Sequence, residues 1–139
     1  MAPGGIVFGI EANLSAEEFR RVLIASGLAV RRPADDLERL DRMLRAADLV
    51  ITARTYTPER QLVGVARTLT DFAYCAYLAD LAVDRRLHGH GIGRGLIEET
   101  RTAIGPASLL LTAAPDAVSF YEHIAMPRVT DAFRYAPRG

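Results

Sequence analysis

Four glycines at every second position, Gly89, Gly91, Gly93 and Gly95, follow the apolar run Leu81-Ala82-Val83 and open a helix-like segment. Glycine lets a backbone curl, and it lets a ligand approach the N–H groups with no Cβ in the way. The first turn of a helix leaves unpaired donors and carries partial positive charge. Together these features predict a cradle for an anion, most naturally a phosphate or pyrophosphate. Arg94, with Arg85 or Arg86 beside it, can add charge-assisted contacts. The dinucleotide fingerprint G-x-G-x-x-G fails in every frame, because its third glycine position holds Arg94, Leu96 or Glu98. The P-loop of nucleoside triphosphatases fails as well, since it needs a Gly-Lys pair followed by Ser or Thr and the chain contains no lysine.

Other reactive side chains are sparse. Every basic residue apart from three histidines is arginine, which removes Schiff-base chemistry and a lysine general base. His88 and His90 form a His-x-His pair with no further ligand nearby in sequence, so no metal site is expected and both read as loop histidines facing solvent. His123 reads as a surface residue. Cys75 is the single cysteine, which rules out an internal disulfide; it reads as one buried thiol packed on a strand in a reducing cytoplasm.

The elements that must position these residues follow from periodicity. Ile6 to Ile10 reads as a strand. Ser15 and Glu18 form a capping box for a helix ending at Gly27. A second helix starts at Asp35 or Asp36, with Leu37, Leu40, Leu44 and Ala47 on one face. Leu49 to Tyr56, Gln61 to Thr70 and Tyr74 to Val83 read as strands rich in Val, Thr, Tyr and Leu. Their short connectors make an antiparallel meander. A helix over Ile92 to Ile104 ends at Gly105-Pro106. Ala107 to Ala113 reads as a strand, Asp116 to Ile124 as a short helix, and Thr130 to Tyr135 as a final strand. The order β-αα-βββ-α-β-α-β indicates an α/β (α+β) fold: a mixed, mainly antiparallel sheet with helices on both faces.

At 139 residues the chain reads as one domain, residues 1–139. Lys+Arg 17 balance Asp+Glu 17, which argues against a general electrostatic grip on nucleic acid or anionic membrane. No apolar stretch reaches the roughly 18 residues of a membrane span, and the N-terminus lacks a basic leader. A soluble, cytoplasmic protein is expected.

His88-Gly89-His90-Gly91-Ile92-Gly93 after a strand resembles motif A of the GNAT superfamily of N-acetyltransferases, Gln/Arg-x-x-Gly-x-Gly/Ala. His88 departs from the usual Gln or Arg, while Gly91 and Gly93 hold the two glycine positions. Phe120-Tyr121-Glu122-His123-Ile124-Ala125-Met126 resembles the family's F-Y-x-x-x-G-F ending, with Ala125 and Met126 in place of Gly and Phe. The element order agrees along essentially the whole chain.

The resemblance implies an acetyl-CoA-dependent N-acetyltransferase. The amides of His88, Gly89, His90, Gly91, Ile92, Gly93 and Arg94 would hold the coenzyme A pyrophosphate. The pantetheine arm would pair with the backbone of Leu81, Ala82 and Val83, and an N–H close to Leu81 would polarise the acetyl carbonyl. The amine would attack the thioester directly in a ternary complex. Tyr121 matches the proton donor to the leaving thiolate; its alternative is a place in the core. Asp80 is the first candidate for accepting the ammonium proton and Glu11 the second, with an ordered water as the other option. Asp80 could instead be ion-paired with Arg67 or Arg54. The position where many members carry a pantetheine-contacting Asn holds Ala114. Phe72, Tyr74, Tyr77 and Asp71 could line an acceptor pocket with an acidic mouth or could pack the sheet. The acceptor is read as a small-molecule amine. Acetylation of a protein lysine or N-terminus and a non-catalytic acyl-CoA-binding role are the alternatives, and the family allows a homodimer.

Overall fold

The apolar alternation of residues 49–83 folds as an antiparallel meander and fixes the rest of the architecture around it. The computed structural model describes residues 5–138. The strands are β1 (Ile6–Ile10), β2 (Leu49–Thr55), β3 (Leu62–Thr70), β4 (Cys75–Val83) and β5 (Ser108–Leu110). They lie in the order β1-β2-β3-β4-β5, antiparallel except for the parallel pair β4–β5. The parallel step requires a crossover, which helix α3 (Ile92–Ile104) supplies.

Helices α1 (Ala16–Ser26) and α2 (Leu37–Ala46) cover one face of the sheet. The Ser15 hydroxyl accepts the Glu18 N–H at 3.1 Å, and Gly27 ends α1 at φ 86°. The second half of the expected capping box does not form, because the Glu18 carboxylate accepts instead from Arg54 of β2 at 2.8 Å. Asp36 caps α2 by accepting the Arg39 N–H. Phe19, Leu23, Leu40 and Leu44 are buried against Val50, Val65 and Ala82. On the other face, α3 buries Ile92, Leu96, Ile97 and Ile104 against Leu49, Ile51, Ala66 and Leu78; α4 (Val118–His123) adds Phe120 and Tyr121.

One irregularity sits in the middle of β4. Thr68 pairs with Leu78 and Arg67 with Asp80, which leaves Ala79 as a bulge. The extra residue resets the alternation. Leu78 and Leu81 both reach the α3 side, whereas Asp80 turns to the α1/α2 side with Arg67.

The expected final strand does not form. Residues 130–138 have no ladder partner, and Val129, Phe133 and Tyr135 are 52%, 96% and 101% exposed. Alternation becomes strand geometry only beside a hydrogen-bonding neighbour. The strand expected over Ala107 to Ala113 also shortens to Ser108–Leu110. Cys75, expected to be buried, is exposed at the start of β4.

Candidate functional site

The glycine loop uses its glycines in two different ways. Gly89 and Gly91 have φ of 83° and 81° and nothing within 4 Å of where a Cβ would stand. They turn the chain and leave its approach open. Gly93 and Gly95 instead pack. A Cβ on Gly93 would lie 3.0 Å from Phe120 Cζ, and one on Gly95 would overlap the Phe8 ring. The uniform spacing of the four glycines thus hides two structural roles. Two shape the loop, and two let α3 lie close to α4 and β1.

Gly91 is the N-cap of α3, with no side-chain cap and no acid in the first turn. The Gly95 N–H is the first to find a partner within the helix, Gly91 O at 3.0 Å. The amides of Ile92, Gly93 and Arg94 precede it and have no backbone acceptor among the described residues. By contrast, α1 and α2 are capped by Ser15 and Asp36 and carry Glu17, Glu18 and Glu38 in their first turns. The bare end of α3 therefore has the free donors and the partial positive charge that suit an anion.

The loop side chains sort differently from expectation. His88 does not simply face solvent; its Nε2 lies 2.9 Å from the Val83 carbonyl and ties the loop to the end of β4. Arg86 turns back onto Asp84 at 2.7 Å, and this hydrogen bond holds the Asp84 carboxyl below its ordinary range. The exposed Arg85 guanidinium lies over Gly27, in the space a Cβ there would enter. Arg94 is exposed, with no acidic partner among the described residues. His90 is also exposed.

The outer edge of β4 is open beyond Tyr77, because β5 pairs only with Cys75–Tyr77. The Asp84 N–H donates to Val63 O at 2.8 Å, toward β3. Backbone groups alternate sides along a strand, so those of Asp80 and Ala82 also face β3. Those of Leu81 and Val83 therefore face outward. Leu81 thus offers an N–H and a carbonyl to an extended chain laid along this edge, and Val83 offers an N–H.

Asp80 is fully buried at the bulge. Its carboxylate accepts from Arg67 of β3 on one oxygen and from Arg32 on the other. Arg32 lies in the connector between α1 and α2, and its second nitrogen donates to the Ala79 carbonyl at 2.8 Å. The Arg67 pairing is the structural alternative weighed for Asp80 in the sequence. Arg32 was not anticipated; its only signal was a helix break at Arg31-Arg32-Pro33. With both oxygens engaged and no exposed surface, Asp80 has little room to receive a proton from an ammonium.

Glu11 is engaged as well. Both its oxygens accept from Arg54, at 2.7 and 2.9 Å, and one also accepts from Thr52. The Arg54 hydrogen bond holds the Glu11 carboxyl below the ordinary range, and the same guanidinium does so for Glu18.

Tyr121 packs edge-on against Phe120, with ring centroids 5.0 Å apart. Burial pushes its phenol up to about 12, so it is protonated at neutral pH and can donate. Its hydroxyl has no hydrogen-bond partner among the described residues. His123 is exposed, as expected. The expected aromatic pocket with an acidic mouth is not closed. Asp71 is spent on its own turn, accepting the N–H groups of Ala73, Tyr74 and Cys75. Tyr74 is exposed, and Tyr77 joins Leu69 and Leu110 in a half-exposed row across β3, β4 and β5. Among the described residues no cluster of His, Cys, Asp and Glu could hold a metal ion. A concavity of about 570 Å³ lies between the end of α3, β5 and Met126, away from the glycine loop and the open edge.

Comparison with known proteins bears on this geometry. Residues 36–129, about two-thirds of the chain, match the acetyltransferase (GNAT) domain family. A chloroplastic GCN5-related N-acetyltransferase of Arabidopsis thaliana is 32% identical over 69 residues. That match takes in 48% of this chain but 27% of the Arabidopsis protein, so the chain spans about a quarter of this curated relative's length. A solved candidate acetyltransferase from Deinococcus radiodurans superposes with a TM-score of 0.71 at 25% identity, covering 94% of this chain and 87% of its own. A GNAT family protein from Streptococcus pneumoniae shares the fold at 18% identity and a TM-score of 0.75, covering 96% and 99%. A bare helix end after a bulged, open-edged strand, matched in sequence over most of its elements, makes this chain a member of the GNAT acetyltransferase family.

Proposed function

We propose that the chain transfers an acetyl group from acetyl-CoA to a primary amine of a small molecule. The observation that carries this reading is the continuity of two unfilled backbone surfaces. The uncapped end of α3 suits the pyrophosphate of the coenzyme, and the outward groups of Leu81 and Val83 suit its extended pantetheine arm. The amides of His88 to Arg94 would grip the first. Leu81, Ala82 and Val83 would pair with the second, with the Leu81 N–H directed at the acetyl carbonyl. Ala114 cannot supply the side-chain contact that an Asn gives in many relatives, which leaves the arm to the backbone.

Tyr121, protonated and without a partner of its own, would hand a proton to the departing thiolate. Asp80 and Glu11 are held by arginines, so deprotonation of the amine falls to water. The rate should then rise with pH through the acceptor's own ammonium pKa and show no carboxylate limb. The half-exposed row of Leu69, Tyr77 and Leu110, on the same face as Asp80, supports an acceptor with an apolar body. Among the described residues no helix is long and apolar enough to cross a membrane. We place the reaction in the cytoplasm, where the exposed Cys75 stays reduced. A homodimer would use the outer edge of β5.

The test is calorimetric titration with acetyl-CoA, with dephospho-CoA as a comparison. Micromolar binding that weakens by about tenfold or more in Gly91→Asp is expected, since a carboxylate at the helix start repels the pyrophosphate. Absence of binding at millimolar ligand would end this reading. Thiol release with amine and peptide panels then separates small-molecule from protein acceptors.

A further inference from the structure

We infer that Arg32 is a positioning residue for acetyl transfer, one that holds the bulge peptide Ala79–Asp80 in the orientation that leaves the Leu81 N–H uncontested at the open edge. The inference rests on the acetyl-transfer reading above and assigns a role to a residue outside both the glycine-loop motif and the Phe-Tyr segment.

A trans peptide directs its C=O and N–H to opposite sides, and the described chain has no cis bonds. The Asp80 N–H faces β3, by alternation from the Asp84 N–H bonded to Val63 O. The Ala79 carbonyl therefore faces the open edge. Left alone, it would be a negative dipole end pointing outward two residues before the Leu81 N–H. An acetyl oxygen gathering negative charge there would meet repulsion from that carbonyl.

Arg32 removes this conflict with two bonds from one planar group. One nitrogen donates to the Ala79 carbonyl at 2.8 Å, and another binds the Asp80 carboxylate. The carboxylate is itself fixed from the far side by Arg67. Asp80 is thus the anchor through which β3, the bulge and the α1–α2 connector share one arrangement. The Arg32 side chain is still 23% exposed, so it lies at the surface where the open edge meets the α1/α2 face. A lysine at this place could keep the charge beside Asp80 but could not reproduce the rigid two-pronged grip.

The experiment reads the thioester directly and needs no acceptor. Acetyl-CoA carrying 13C at the thioester carbonyl is bound to the full chain, and its carbonyl stretch is recorded for wild type, Arg32→Lys and Arg32→Gln. Folding is checked by circular dichroism and affinity by calorimetry. In the wild type the bound band should lie below that of free acetyl-CoA, as hydrogen bonding from Leu81 requires. In both variants it should return toward the free position, while the dissociation constant stays within about threefold because phosphate and arm contacts are untouched. If Arg32→Gln does not fold, Arg32→Lys, which keeps the ion pair, carries the comparison. Variant bands that coincide with the wild-type band would overturn the role of Arg32 and leave acetyl transfer standing. A wild-type band at the free position would overturn it too. Failure of the wild type to bind acetyl-CoA would instead remove the acetyl-transfer reading, and this inference with it.

Discussion

The two faces of the sheet are built by different means. The α3/α4 face is apolar and relies on missing side chains. Gly64 sits against Leu96 and Ile92, Gly93 against Phe120, and Gly95 against Phe8. The α1/α2 face relies on paired charge, with Asp80 buried between Arg67 and Arg32, and a partly exposed Arg54 between Glu11 and Glu18. Close backbone approach sets how near α3 and its bare end can lie to β1, β3 and α4. Ion pairs fix direction, because a guanidinium fork has few ways to meet two acceptors. One face therefore controls how closely the elements approach and the other controls orientation at the bulge.

The largest break in this contrast should come from Asp80→Ala. It strands Arg67 and Arg32 beside a buried void and should cost about 3–5 kcal/mol in urea unfolding. A loss below about 1 kcal/mol would mean that this face does not depend on the pair. Gly95→Val tests the opposite face. Overlap with Phe8 should cost about 1–3 kcal/mol, whereas Gly89→Ala, in open space, should cost only the left-handed backbone strain of about 1–2 kcal/mol.

Tyr121→Phe should leave stability and acetyl-CoA affinity in place while turnover falls by about tenfold or more, the size of a lost proton donor. An unchanged rate would make Tyr121 core and nothing else. Thr68 sharpens the contrast from the apolar side. Its register partners Leu49 and Leu78 belong to the α3-side core, and its hydroxyl is buried without a partner among the described residues. Thr68→Val should therefore raise stability by about 1 kcal/mol in the same unfolding assay.

The smallest effect concerns pH. Arg54 lowers the carboxyl pKa of both Glu11 and Glu18. Such groups stabilise the fold above their unfolded pKa of about 4.3, and this contribution is lost as pH falls through the lowered folded values. Thermal melts between pH 3 and 6 should show that loss in the wild type and a flatter profile in Arg54→Met, with a difference below about 1 kcal/mol for these partly exposed pairs.

Much of this arrangement was legible in the sequence. The helix over Ile92–Ile104 matches residue for residue, and the meander strands match within a residue, because hairpin turns and capping residues are local signals. The split among the glycines was not legible. Their spacing is uniform, and what separates them is the Phe8 ring from a distant strand and the Phe120 ring from a later helix. Arg32 was equally hidden, since it meets Asp80 across 48 residues and no local pattern encodes such a pairing. Thr130 to Tyr135 misled in the other direction, showing a strand's alternation with no neighbour to pair with.

The parallel pairing of β5 with β4 also has a consequence for how the chain is made. Residues 6–83 contain four strands, both N-terminal helices and a complete core on the α1/α2 face. Synthesis from the N-terminus can assemble that half before the glycine loop exists. During that interval Leu49, Ile51, Ala66 and Leu78 face water, because their cover is α3. The helix with the bare N-terminal end is thus also the piece that ends the nascent chain's most aggregation-exposed moment. A coenzyme that binds only the finished site would draw this last docking step forward by mass action.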